Sequence, residues 1–151
     1  MSVGIGYDSH RFAAGRALIL GGVAIEHERG LAGHSDADVL THAVIDALLG
    51  AAGEGDIGTL FPDDDERWRD ADSIDMLRTA VGTIGGRIEN VDATLVCQEP
   101  RLAPYREEME RILADATSAR VSVKATTNEG MGWIGRGEGI ACIAVASVDS
   151  E

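Results

Sequence analysis

The side chains best suited to chemistry lie in two places: Asp8-Ser9-His10 near the N-terminus, and His42 further along. A carboxylate and two imidazoles are the donors of an open zinc site. Zn²⁺ takes about four ligands in a tetrahedron, and a catalytic site keeps one corner for water or substrate. Asp8 and His10 are two positions apart, so on an extended segment their side chains share a face and can grip one ion. Asp46 follows His42 by one helical turn; a solvated carboxylate is the default there, and orienting the imidazole from behind is the alternative.

A second group of residues suits phosphate. His34-Ser35 precedes an apolar-periodic segment, and the free N–H groups of a helix start there would hold an anion, with His34 donating to a phosphate oxygen. Lys124-Ala125-Thr126-Thr127-Asn128-Glu129 runs into Gly135-Arg136-Gly137-Glu138-Gly139. Hydroxyls and glycines permit close approach to phosphate, Arg136 offers a charged fork, and Glu129 can carry Mg²⁺ between phosphates. Asp56-Ile57-Gly58 and Phe61-Pro62-Asp63-Asp64-Asp65 offer carboxylate acceptors to polyol hydroxyls.

The elements that must position these groups follow from patterning. Val3 to Tyr7 reads as a short strand ending at Asp8. Ala17–Leu20 and Val23–Ile25 read as strands joined through Gly21-Gly22. Ser35 begins a helix through a capping-box-like Ser35-Asp36-Ala37-Asp38, and Val39, Leu40, Ala43, Val44, Ala47 and Leu48 form its apolar face up to Gly50–Gly53. Residues 53–72 are rich in Gly and Asp and read as a long loop, which in a small domain signals function. Helices follow at Ser73–Ile84 and Tyr105–Thr117. Strands follow at Ile88–Cys97, Val121–Thr126 and Ile140–Val148, the last two separated by the loop Asn128–Gly139. The order is α/β, in an α+β two-layer arrangement with the helices on one sheet face.

At 151 residues with 44% hydrophobic content, the chain fits one domain, 1–151, with a substantial core. The net charge of −13 opposes nucleic-acid binding but not a small phosphorylated ligand, provided cations compensate locally. No apolar run is long enough for a membrane span and the N-terminus has no signal-peptide pattern, so a cytoplasmic protein is expected. Cys97 and Cys142 sit in apolar runs and read as buried thiols. On these residues alone, a zinc hydrolase with Asp38 or Asp56 as base, or a ligand-binding module without catalysis, also fits.

The segments GIGYDSHRF (4–12), LGGVAI (20–25), GLAGHSDADVLTHAVIDALLGAAGEGDIGTLFPDDD (30–65) and VKATTNEGMGWIGRGEGIACIAV (123–145) together resemble the 2-C-methyl-D-erythritol 2,4-cyclodiphosphate synthases of non-mevalonate isoprenoid synthesis. The resemblance implies a chorismate-mutase-like subunit with a mixed four-stranded-type sheet. It also implies a homotrimer with active sites between neighbours, and a metal-assisted lyase reaction on a cytidine diphosphate substrate. By resemblance, Asp8, His10 and His42 bind Zn²⁺, and Glu129 binds a second divalent ion, Mg²⁺ or Mn²⁺. His34, Ser35 and Thr127 hold phosphate, and His34 and Thr127 stabilise the transition state. Asp56, Ile57, Gly58, Phe61, Pro62, Asp63, Asp64 and Asp65 surround the methylerythritol part. Cys97, Gln98, Glu99, Pro100, Arg101, Leu102, Ala103 and Thr126 form the cytidine pocket. Arg136 faces the trimer axis, and Asn128 and Trp133 complete the substrate surroundings. Three positions depart from the commoner pattern: Asn128 for Thr, Arg101 for Lys and Trp133 for Phe.

Overall fold

The computed structural model describes residues 1–149; the last two positions of the expected single domain lie outside the described residues. The first strand is longer than its apolar part: β1 spans Ser2–Ala13 and carries Asp8 and His10 along its length rather than at its end. It pairs antiparallel with β7 (Gly139–Asp149), with Ser2 opposite Val148 and Arg11 opposite Gly139. β5 (Arg87–Val96) lies antiparallel on the other side of β7, and β6 (Arg120–Thr126) runs parallel to β5. A two-residue strand β4 (Gly30–Leu31) borders β1. The mixed sheet therefore has five strands, β4-β1-β7-β5-β6, where a four-stranded type was expected. The extra strand is too short to be visible as an apolar run. β2 (Leu18–Leu20) and β3 (Val23–Ile25) form a separate hairpin, whose turn residues Gly21 and Gly22 both have positive φ, as a tight two-residue loop requires.

One sheet face packs on helix α1 (Val39–Ala52) over β1 and β7 and on α4 (Arg106–Thr117) over β6, with α3 (Ser73–Thr83) lying against both helices. The expected apolar face of α1 is buried, and so are Ile45 and Leu49, so this is a central helix. The close fit has a simple cause in β1. A Cβ at Gly4 would stand 2.1 Å from the Ala47 carbonyl oxygen, and one at Gly6 would stand 2.0 Å from that of Ala43. Glycine at both positions lets the helix backbone rest on the strand. That contact delivers His42, the neighbour of Ala43, to the strand position just beyond Gly6.

The helix starts at Val39, not at Ser35. Ala37 adopts φ 57°, which breaks any helical path through 35–38, and Asp38 is the N-cap. Its fully buried carboxylate accepts four bonds: Oδ1 from Gly21 N–H (2.8 Å) and Thr41 N–H (3.0 Å), Oδ2 from Gly22 N–H and Thr41 Oγ1 (both 2.8 Å). Asp38 thereby bolts the β2–β3 hairpin to the helix start. Residues 53–72, expected as loop throughout, contain the short helix α2 (Ile57–Leu60), capped by Asp56, and a 3-10 turn at Glu66–Trp68, capped by Asp65. The short segment α5 (Gly132–Gly135) likewise interrupts the loop between β6 and β7. These turns escape periodicity because they are about one turn long.

Among the described residues, the other sheet face carries no helix. Val3 (66% exposed), Ile5 (70%) and Tyr7 (57%) alternate along β1, and Ile5 and Tyr7 stand opposite Val145 and Ile143 of β7, which are also exposed.

Candidate metal centre and adjoining cavities

Asp8, His10 and His42 converge. His10 Nε2 is 2.8 Å and His42 Nδ1 3.2 Å from Asp8 Oδ2, and one donor atom from each residue lies within 4.8 Å of the others. The two imidazole rings meet edge-on, with centroids 5.5 Å apart. His10 Nδ1 lies 2.7 Å from the Ala32 carbonyl oxygen. A carbonyl only accepts, so Nδ1 carries the proton and the lone pair of Nε2 faces Asp8. Lone pairs aimed at a carboxylate repel unless a cation joins them, so the donor set fits a single dication.

Electrostatics agree. Burial pushes the Asp8 carboxyl up, but the His10 and His42 hydrogen bonds and charges outweigh it and hold the group below its usual range. Burial likewise pulls His10 down, but its bond to Asp8, the Asp8 charge and the Ala32 carbonyl hold it above the usual imidazole value.

The triad opens into a cavity of about 260 Å³ that is also lined by His34, Ser35, Ile57, Gly58, Phe61 and Asp63, with Trp68 and Met76. His34 Nε2 is buried there without a hydrogen-bond partner among the described residues. Expected positions in this region thus divide. Asp56 spends its carboxylate on the N–H and hydroxyl of Thr59, and Asp65 pairs with Arg67, so both shape the loop; Pro62 and Asp64 lie on it outside the cavity lining. Asp46 does not back His42: it accepts the Ile57 N–H at 3.1 Å and docks α2 onto α1. Ser35 lies before the helix, its Oγ accepting from Ala37 N–H and standing 3.1 Å from His42 Nε2, so the expected helix-start anion site is taken by the Asp38 cap.

A separate cavity of about 650 Å³ is lined by Cys97, Gln98, Glu99, Pro100, Arg101, Leu102 and Ala103, with Thr126 and Thr127. His27 and Ala125 complete it and were not foreseen; nothing in their spacing marks them. Burial pushes the Cys97 thiol up to about 12, so it is no thiolate at neutral pH. Asn128 holds the turn by donating to the Met131 carbonyl. Glu129, next in the chain, is exposed with φ 54° and lines neither cavity. Trp133 and Arg136 border a third cavity beside Ser9–Phe12. Within one copy, then, the metal triad gathers with His34 and Ser35, whereas Thr127 and Glu129 belong to a different surface.

The two rival bases fail on position. Asp38 is sealed in with four donors, burial raising its pKa more than the N–H groups of Thr41, Gly21 and Gly22 lower it. Asp56 is bonded into its own turn.

Fold and site together define a small mixed α/β protein in which an Asp-His-His triad able to hold one metal ion lines a cavity. The chain belongs to the YgbB family, whose model matches residues 1–149, and thus to the 2-C-methyl-D-erythritol 2,4-cyclodiphosphate synthases. The synthase of that name from Moorella thermoacetica is 57% identical over 96% of this chain and 93% of its own length; the one from Salinibacter ruber is 54% identical over 99% of each. Among solved structures, bifunctional IspDF from Campylobacter jejuni superposes with TM-score 0.91 at 42% identity, covering 96% of this chain and 41% of the longer one. The Plasmodium falciparum IspF–CDP complex superposes at 0.82 with 32% identity, over 96% of this chain and 93% of its own. No helix among the described residues is long and apolar enough to cross a membrane.

Proposed function

We propose that this chain is a phosphorus–oxygen lyase of isoprenoid precursor synthesis. It converts 4-diphosphocytidyl-2-C-methyl-D-erythritol 2-phosphate to 2-C-methyl-D-erythritol 2,4-cyclodiphosphate and CMP. An oxygen of the 2-phosphate attacks the β-phosphorus, and the bond from that phosphorus to the bridging oxygen breaks, leaving on CMP. The observation that carries this reading is the convergence of Asp8, His10 and His42 over a cavity walled by His34 and Ser35, in a chain of this family.

The nucleophile is already an anion, so no protein base is needed. The task is to fold a polyanion so that two phosphates meet in line. Asp8, His10 and His42 would hold Zn²⁺, which when bound supplies positive charge to polarise a phosphoryl oxygen. His34 Nε2, free of protein partners, and the hydroxyls of Ser35 and Thr127 donate to phosphate oxygens, most strongly as charge builds in the transition state. Glu129 would hold the second divalent ion, Mg²⁺ or Mn²⁺, which when bound would supply charge to offset that of the phosphates. Residues 97–103 with Thr126 take the cytidine, a reading supported by solved relatives described as CDP complexes. The Asp56–Gly58 and Phe61–Asp65 segments enclose the methylerythritol part, and Asn128, Trp133 and Arg136 flank the substrate and the subunit axis.

In this reading the working unit is a homotrimer of chorismate-mutase-like, single-domain subunits in the cytoplasm. The apolar outer face of β1 and β7 supports burial against further copies. The separation of the metal cavity from the nucleotide cavity supports sites built across neighbours, since no described residue lines both.

Incubation with the cytidine substrate should yield cyclic diphosphate and CMP in equal amounts. A linear phosphate product would instead indicate a hydrolase, and no turnover with any divalent metal would indicate a binding module. Site sharing has its own test. His42→Ala and Thr127→Ala proteins, each nearly inactive, should regain activity when unfolded together and refolded as a mixture, because roughly a quarter of the sites in randomly mixed rings combine two intact halves. Mixtures no more active than their components would place the whole site in one subunit.

A further inference from the structure

His42 meets a different environment at each ring nitrogen. Nδ1 faces Asp8 Oδ2 at 3.2 Å. Nε2 lies 2.8 Å from Ser73 Oγ, with Ser35 Oγ farther off at 3.1 Å. Ser73 is the first residue of α3 and is completely buried. Its hydroxyl donates to Asp36 Oδ1 in a short bond, and its backbone N–H donates to Asp36 Oδ2 at 3.1 Å. Asp36 is itself held, its N–H donating to the Ala71 carbonyl at 3.1 Å, while Asp70 N–H donates to the His34 carbonyl at 2.9 Å. The segments 34–36 and 70–73 are thus stitched together directly behind the metal centre.

The donors and acceptors along this relay allow one arrangement of protons. A carboxylate only accepts, so the single Ser73 hydroxyl proton goes to Asp36. Toward His42, Ser73 then offers a lone pair, which requires the imidazole proton on Nε2. Nδ1 is left with its lone pair directed at the triad. The Ala32 carbonyl does the same for His10 from the opposite side, leaving Nε2 free. The two histidines use different nitrogens, and each has a separate device that selects it.

We propose that Ser73 and Asp36 are positioning residues for the metal, acting through His42 as a carboxylate–hydroxyl–imidazole relay that fixes its tautomer and ring plane. Partners of this kind make a ligating imidazole more basic and hold it in line with the ion. The proposal rests on reading Asp8, His10 and His42 as a metal site. Ser35 is the weaker acceptor, and its hydroxyl also serves Ala37 N–H and, in the proposed function, substrate phosphate. Ser73 is the partner that stays when substrate arrives. The relay also ties the His34 turn to the start of α3, so the phosphate-facing imidazole and the metal-facing one share a support.

The test measures zinc dissociation constants by competition with a chromophoric chelator, using the full chain and its Ser73→Ala, Ser73→Thr and Asp36→Asn variants. Alongside these run unfolding temperatures of the zinc-free proteins and ¹H–¹⁵N long-range spectra of His42 in alkaline, zinc-free solution. Ser73→Ala should weaken zinc about 10- to 100-fold. Ser73→Thr, which keeps the hydroxyl, should restore most of the loss, and Asp36→Asn should weaken zinc less than Ser73→Ala. The parent should show the His42 proton on Nε2, and Ser73→Ala a mixture of tautomers. Unchanged zinc affinity and tautomer in Ser73→Ala, with only a lower unfolding temperature, would reduce the relay to a structural contact and overturn the proposal. If Ser73→Ala does not fold, Asp36→Asn carries the decision by the same readings. A parent that binds no zinc overturns the metal reading and the relay together; tight binding in the parent matched by every variant overturns the relay alone.

Discussion

His42→Ala should lose stoichiometric zinc and at least about 10³ in turnover, the scale of removing a preorganised charge-stabilising group, while its circular dichroism stays that of the parent. Two ligands remain, Asp8 and His10, on a strand that leaves the helix side of the ion open. The ring that is removed also satisfies the Ser73 and Ser35 hydroxyls, so the variant carries a stability cost of about 1–3 kcal/mol. That is small beside the roughly 5–15 kcal/mol of a folded domain, so binding and folding separate cleanly. Zinc content by atomic absorption, the product assay and a melting curve decide it. Parental zinc and parental rate in this variant would remove the metal assignment.

Gly6→Ala should destabilise the protein by more than about 3 kcal/mol, the upper range for overpacking against a rigid neighbour. The added methyl would sit 2.0 Å from the Ala43 carbonyl oxygen, which belongs to the backbone of a fully packed helix and cannot rotate away. Relief requires α1 to lift off β1, and lifting α1 carries His42 away from Asp8. Zinc affinity should therefore fall together with the urea midpoint. Gly82→Ala is the control with the opposite sign: near the end of α3 nothing stands within 4 Å of its Cβ, and helix propensity favours alanine by up to about 1 kcal/mol. Equal urea midpoints for parent and Gly6→Ala would mean that the helix–strand contact tolerates slack and does not set the site.

Where pattern was tied to a single physical cause, the sequence was legible. Two-residue alternation put Asp8 and His10 on one face, and the burial of α1 followed its apolar positions. The end of β1 was misplaced because Asp8, Ser9, His10 and Arg11 are polar, although one face serves the triad and the other continues the outer sheet surface. The start of α1 was misplaced because Ser35, Asp36 and Asp38 are all competent caps. The choice fell to Asp38, which alone also reaches the hairpin amides, a tertiary contact with no local trace. Asp46 obeys the same logic: helical spacing offered solvent or His42, and the fold supplied the Ile57 N–H instead. Ser73 passed unnoticed because a serine at a helix start has an ordinary explanation in capping. The grouping of His34 with the triad came from resemblance rather than spacing, and so did the assignment of residues 97–103 to a nucleotide.

The Asp38 bolt has a thermodynamic corollary. One carboxylate serves both the hairpin amides and the first turn of the central helix, so neither partner can open without stranding an anion in the core. Hairpin and helix should exchange their amide hydrogens as one cooperative block, and damage to either should be felt in both. Proton and metal traffic at the cleft can then come and go over ground that does not yield.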